Sequence, residues 1–178
     1  MKYEKKRAPK VIWEMETGDV TISAIEHGYR FGKCGLRLTR YQHGKITQNY
    51  ASYIPVERLR ELLDRLNQDI TPKQLLLSFR DFVPAQVCRE SNIGKRGEEL
   101  HKTFLIAASD GGNAILQSTV QWGNGKPHML QAEISQDDLY TMAATMEHSY
   151  RAYQLRKGAP IPRRANRSAA KGVDVHAA

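Results

Sequence analysis

The chain has 178 residues, of which 40% are hydrophobic and 26% charged, a composition typical of a globular protein with one packed domain or two small subdomains. It has no apolar run of about 18 residues, and its basic start, MKYEKKRAPK, lacks the apolar stretch of a secretion signal, so we expect an intracellular, cytoplasmic or nucleoid-associated protein without a membrane partner. The chain is basic, with a net charge of +8, which favours a polyanionic partner.

The first part of the chain, residues 11–54, is predicted to form an antiparallel β-meander. Turn signals at Thr17-Gly18-Asp19, near His27-Gly28 and at His43-Gly44 separate short stretches with strand-like alternation. The predicted strands are VIWEME (11–16), VTISAIE (20–26), the segment from Tyr29 to Tyr41, and KITQNYASYI (45–54).

The third of these strands, YRFGKCGLRLTRY, has two chemically different sides. Because side chains alternate along a strand, Cys34, Leu36 and Leu38 are predicted to face a core. The opposite row combines aromatic and cationic side chains: Tyr29, Phe31, Lys33, Arg37 and Tyr41. Cations can follow phosphates while rings stack on unpaired bases, so this row predicts a single-strand-binding surface. An ordinary amphipathic strand, whose aromatic residues are covered by another element or a second subunit, is the alternative.

Two helices are predicted next. In PVERLRELLDRLN (55–67) leucines recur at helical spacing, and Pro55 suits the first helical position. A second helix, KQLLLSFRDF (73–82), is predicted with Thr71 as its N-cap. Residues 84–101 show no sustained period and are interpreted as a connector.

A second β-meander and helix follow. The strands TFLIAAS (103–109), AILQSTVQW (114–122) and HMLQAEI (128–134) are separated by glycine-rich hairpin signals. Ser135 and Asp138 resemble a capping box, and the helix they open carries an apolar face as far as Tyr153. Residues 158–178 combine Ala, Arg and Pro with few apolar anchors and are predicted to be disordered.

The predicted fold class is therefore α+β, with two antiparallel β-meander–helix units packed as an internal pseudo-dimer. The predicted organisation is a basic N-terminal arm (1–10), a first meander with helices (11–83), a connector (84–101), a second meander with a helix (102–157) and a basic tail (158–178).

This layout resembles the single-stranded nucleic-acid-binding proteins of the positive-cofactor-four and Whirly type. The resemblance rests chiefly on GLRLTRYQHGKITQNYASYI leading into PVERLRELLDRL, a polar, basic hairpin followed by an amphipathic helix. It covers about 11–67 and, more weakly, 103–157. It implies a curved antiparallel sheet followed by a helix, two such units forming one binding module, and a single strand held across the sheets. The signature of the Whirly family does not align with this chain.

Patterns for catalysis or for a cofactor are weak. The segment from Gly28 to Lys33 is one residue too short for a phosphate-binding loop, and Cys34 replaces the Ser/Thr that would hold magnesium. The six histidines have no metal-ligand spacing, and the two cysteines are too few for a disulfide framework. Cys88 receives no role. Acidic residues near the first hairpin are more typical of a solvated face than of a nuclease: Glu14, Glu16, Asp19 and Glu26.

We therefore expect a non-enzymatic protein without a cofactor or metal, which binds single-stranded DNA, or less favourably RNA, and which can form a homo-oligomer. The predicted binding residues are Tyr29, Phe31, Lys33, Arg37, Arg40, Tyr41, Lys45 and Tyr50. Two other functions stay open. One is a scaffold or regulator that docks another protein on the sheet face, and the other is duplex DNA binding through the basic tails.

Overall fold

The computed structural model describes residues 9–68, 77–84 and 99–158. Within them the chain is an α+β protein with two four-stranded antiparallel sheets and two α-helices. The elements are β1 Val11–Thr17, β2 Val20–Ile25, β3 Lys33–Gln42, β4 Lys45–Pro55, α1 Val56–Asn67, β5 Leu77–Pro84, β6 Glu99–Ala108, β7 Ala114–Trp122, β8 His128–Ile134 and α2 Gln136–Gly158. The predicted tail and most of the N-terminal arm and connector lie outside the described residues.

The first sheet is a meander in which consecutive strands are neighbours, in the order β1-β2-β3-β4. Gly18 turns the chain between β1 and β2 with a φ of 59°. His43 and Gly44 join β3 to β4 with φ values of 51° and 71°, which is the pair of left-handed residues that a two-residue hairpin with strand-compatible twist requires. The predicted meander is therefore confirmed, apart from the start of its third strand.

The second sheet has the order β5-β6-β7-β8, and its first strand corrects a prediction. A helix was predicted over 73–82, but residues 77–84 form β5, which pairs with β6 from Leu77 opposite Ile106 to Pro84 opposite Glu99. A short apolar run fits a helix or a strand equally well, so the partner strand decides between them. Thr71 and residues 73–76 lie outside the described part of the chain.

The two helices begin with different capping arrangements. Before α1, Pro55 is extended, with φ −56° and ψ 139°, so it is the residue preceding the helix rather than its first member. Before α2, the backbone N–H of Asp138 donates to Ser135 Oγ at 3.0 Å, and Ser135 Oγ donates to Asp138 Oδ2 at 2.6 Å. The predicted cap at Ser135 is thus confirmed.

The helices pack against each other, and α2 also contacts β1, β2 and β3. Buried leucines of α1, Leu59 and Leu62, belong to the same core as Leu36 of β3. At the helix–helix contact the buried carboxylate of Glu147 accepts hydrogen bonds from Arg60 Nε at 3.1 Å and from Arg151 Nε at 2.6 Å. Two cations at one buried carboxylate compensate its loss of water.

The core-facing side of the first sheet meets the second sheet. Ser52 Oγ of β4 lies 3.3 Å from Ser118 Oγ of β7, and Thr17 Oγ1 donates to the Glu133 carbonyl of β8 at 3.1 Å. One side of the first sheet is thereby covered by α2 and the second sheet. The order of four strands followed by a helix occurs twice, whereas the pseudo-twofold relation between the two units stays a prediction.

Candidate nucleic-acid interface

The outer side of the first sheet is defined by the pairing of β3. Directly paired residues of antiparallel strands lie on the same side of a sheet. Arg37 therefore shares a side with its partners Ser23 of β2 and Ala51 of β4. Leu36 and Leu38 are buried on the other side together with Cys34. The predicted two-sided character of β3 is confirmed from Lys33 onward.

The start of the predicted strand is wrong, because residues 29–31 form a short 3-10 helix instead. Gly28 and Gly32 flank it with φ values of 86° and 67°, a backbone conformation that glycine adopts readily and that strands do not contain. The N–H groups of Phe31 and Gly32 donate to the carbonyls of Gly28 and Tyr29 at 2.9 and 3.0 Å. We call residues 28–32 the glycine-bounded turn.

This turn sends its two aromatic side chains in opposite directions. Tyr29 is 5% exposed, and its ring lies 5.7 Å from the ring of Tyr150 and 5.4 Å from that of Tyr153, both on α2. Phe31 is 69% exposed. Tyr29 consequently anchors the turn and is not available to stack on a base, while Phe31 is available.

One face of the Phe31 ring already carries a cation. The guanidinium carbon of Arg30 lies 4.5 Å from the ring centroid, a cation–π distance. The turn is also tied to the start of α1, since the Val56 N–H donates to the Gly32 carbonyl at 3.0 Å. Phe31 is therefore an exposed ring on a turn that backbone hydrogen bonds hold in place.

Lys33 and Arg37 lie on the outer side of β3, and both are partly exposed. Gly35 stands between them, where a β-carbon would be 2.6 Å from Cγ1 of Ile25, so the side chain of Ile25 fills the space that a larger residue would need. Gly35 is paired with Tyr53 of β4. Burial raises the pKa of Tyr53, and the nearby charge of Arg37 opposes that rise.

Two other predicted binding residues face away from this surface. Tyr50 is buried opposite Leu38, on the core side of the sheet. Arg40 lies on that side as well, at the end of the sheet, where its Nε is 2.9 Å from Asp19 Oδ2 and its Nη1 donates to Gln48 Oε1 at 2.7 Å. We remove both from the predicted surface. Strict alternation from Leu36 and Leu38 already indicates the side on which Arg40 lies.

The remaining predicted residues are at the far end of β3. Tyr41 and Lys45 are both exposed around the β3–β4 turn. Lys45 pairs with Gln42 and therefore lies on the side of Arg40 rather than that of Tyr41. Phe31, Lys33, Arg37 and Tyr41 follow β3 from the glycine-bounded turn to the hairpin, and we call these four residues the β3 track. At about 3.3 Å per residue the track is on the order of 30 Å long.

Segment 27–56 carries charge of one sign, although Asp19 from outside the segment pairs with Arg40 at the end of the sheet. Residues 27–56 contain five Lys or Arg and no Asp or Glu. On the outer side of the sheet, Glu14 of β1 accepts a hydrogen bond from Ser23 Oγ at 2.8 Å. Within residues 9–68, 77–84 and 99–158, no three His, Cys, Asp or Glu side chains converge in a way that could hold a metal ion. No helix in that part of the chain is long and apolar enough to cross a membrane.

The half-buried Tyr53 and the exposed His27 form an aromatic pair beside the turn that the sequence pattern does not predict. Their ring centroids are 5.4 Å apart, and Tyr53 is close to Gly28 of the glycine-bounded turn. The signal that could have found them is the pair Gly28 and Gly32, which indicates a turn rather than a strand over 29–31 and brings this turn back toward β4.

Cys34 lies behind the β3 track and provides a test of its packing. Burial raises the pKa of the thiol from 9.0 to about 12, and Sγ donates weakly to the Met146 carbonyl at 3.8 Å. Because the folded state holds the proton more tightly, its stabilising effect is complete below pH 9 and is lost as the pH rises from 9 toward 12. In a Cys88→Ser background we expect Cys34 to react with a thiol reagent only after unfolding, and the free energy of unfolding to fall above pH 9. Labelling of the native protein at the rate of a free thiol would contradict this.

Comparisons of the chain with protein-family profiles, with curated proteins and with solved structures find no match.

Proposed function

We propose that the protein binds single-stranded nucleic acid along the β3 track, without catalysis. The observation that carries the proposal is the coincidence of exposed rings and cationic side chains along β3 and the glycine-bounded turn before it. Phe31 and Tyr41 lie at the two ends, Lys33 and Arg37 lie between them on the outer side, and no acidic residue occurs from 27 to 56. Base–aromatic stacking with cations along the backbone is the usual means of binding single strands without sequence preference.

The architecture supports the same proposal. Four antiparallel strands followed by a helix, repeated once, is the order that a resemblance to positive-cofactor-four and Whirly-type proteins implies. A homo-oligomer and a cytoplasmic location are part of this proposal.

The test is a fluorescence-anisotropy titration with single-stranded DNA, single-stranded RNA and duplex DNA of equal length. Measurements at about 50 mM and about 200 mM salt separate charge-driven binding from neutral protein–protein contacts, because phosphate neutralisation releases counterions. We expect tighter binding of single-stranded DNA than of duplex DNA and a clear loss of affinity at the higher salt concentration.

Equal affinity for single-stranded and duplex DNA would favour duplex binding through the tails. Absence of binding to all three probes would favour the scaffold or regulator.

A further inference from the structure

The β3–β4 hairpin extends beyond the rest of the first sheet. β2 pairs with β3 only as far as Val20 opposite Arg40. Past Arg40, β3 and β4 continue alone as a two-stranded ribbon. Residues 41–46, which we call the ribbon tip, are all exposed. In the ribbon, Tyr41 pairs with Ile46, and Gln42 pairs with Lys45.

The ribbon tip presents an apolar pair to solvent. Tyr41 is 43% exposed and Ile46 is 41% exposed, and as direct cross-strand partners they have adjacent side chains. Lys45 lies on the opposite side of the ribbon, paired with Gln42, and segment 27–56, which contains the tip, has no acidic residue. A second copy meeting this surface tip to tip would bring like charges together, whereas a polyanion would not.

The base of the ribbon is braced. Asp19 contacts it twice, through Oδ2 at 2.9 Å from Arg40 Nε and through its carbonyl, which accepts from the Tyr41 N–H at 2.9 Å. The register shifts by one residue between Arg40 and Tyr41, leaving Thr47 as the extra residue of a β-bulge in β4. Bulges bend and twist a strand and re-aim its side chains. The Asp19 contacts and the bulge therefore fix the position and direction of Tyr41 and Ile46.

We propose that the ribbon tip is a wedge, which stacks on and opens the last base pair where a single strand held on the β3 track meets a duplex. A two-stranded ribbon is narrow enough to enter a DNA groove. Apolar side chains inserted at a base step unstack it. This inference rests on the proposed single-strand binding and adds a preferred substrate to it, the junction between single-stranded and duplex DNA.

A substitution at Ile46 tests the wedge separately from single-strand binding, because Ile46 is in the ribbon tip but not in the β3 track. Ile46→Thr keeps the β-branched shape that suits a strand and removes apolar surface. Met129→Thr is the matched control, since Met129 is 50% exposed on β8 of the second sheet.

The experiment compares a DNA hairpin carrying a single-stranded 5′ or 3′ tail with the single strand alone, by anisotropy. 2-Aminopurine in the last base pair of the hairpin reports unstacking. We expect the wild-type protein to prefer one tailed hairpin over the single strand by about fourfold, the factor for one methylene group leaving water, and to raise 2-aminopurine fluorescence. Ile46→Thr should lose both effects and keep its affinity for the single strand, while Met129→Thr keeps all three properties.

Three results would overturn the wedge. If the wild type binds the single strand and both tailed hairpins equally, the wedge fails and the proposed function stands. If the wild type binds none of the probes, both fail. If Ile46→Thr changes the sedimentation coefficient and leaves the junction preference intact, the ribbon tip is a contact between copies of this chain.

Discussion

Replacing Lys33 and Arg37 together with alanine is expected to lower the affinity for single-stranded DNA on the order of 20-fold at about 0.1 M salt. The estimate assumes one phosphate contact for each residue and about 0.7 counterions released per contact. The same reasoning predicts a decrease of about 1.4 in the slope of log K against log salt, so the loss narrows to about fivefold near 0.3 M salt. Anisotropy titrations over that salt range measure both quantities.

A control of equal charge change comes from cations on other surfaces. Arg58 lies on the exposed side of α1, and Lys126 lies in the turn between β7 and β8. Arg58→Ala with Lys126→Ala removes the same two charges and should leave the slope nearly unchanged. If the two double variants lose affinity equally, net charge rather than the β3 track determines binding, and the placement of the site is wrong.

Tyr29 and Phe31 are expected to show opposite phenotypes although they are two residues apart. Tyr29→Ala removes a buried ring from between Tyr150 and Tyr153 and should lower the free energy of unfolding by about 3–4 kcal/mol. Phe31→Ala removes an exposed ring, so stability should change by less than about 0.5 kcal/mol. Loss of one stacked base should instead weaken single-strand binding by about 1–3 kcal/mol.

Urea unfolding and anisotropy on the same preparations check both halves of this contrast. Tyr29→Phe is the conservative control, because it keeps the ring and removes a hydroxyl, a change of about 1 kcal/mol at most in stability. Its affinity for single strands should match that of the wild type. A Tyr29→Phe variant that lost affinity with its fold intact would return Tyr29 to the binding surface, contrary to its burial here.

The pH dependence of stability adds a related expectation at Tyr29. Burial is the main cause that raises the pKa of its phenol to about 12. This group and Cys34 therefore act in the same direction, since both hold their protons more tightly in the folded state. We therefore expect the free energy of unfolding to fall at alkaline pH as these two buried groups lose their protons, with or without a ligand.

Residue patterns by themselves determined most of the strands and both described helices. Alternation along β7 and β8, helical spacing in α1 and the hairpin glycines are local features, and the elements they predict are present. The same alternation placed Leu36 and Leu38 in the core and Lys33 and Arg37 on the outer side of β3. These properties depend on the order of neighbouring residues along one strand, so the amino-acid sequence alone predicts them.

Partner strands decided the rest. Leu77–Pro84 is a strand because β6 supplies its hydrogen bonds, although the apolar spacing of the sequence 73–82 also fits a helix. Counted from the turn at His43-Gly44 without a bulge, Tyr50 would lie opposite Arg37 on the outer side. The bulge at Thr47 shifts β4 by one residue, which places Tyr50 opposite Leu38 in the core. A shift of one residue exchanges the two sides of a strand, and only the tertiary structure determines whether it occurs.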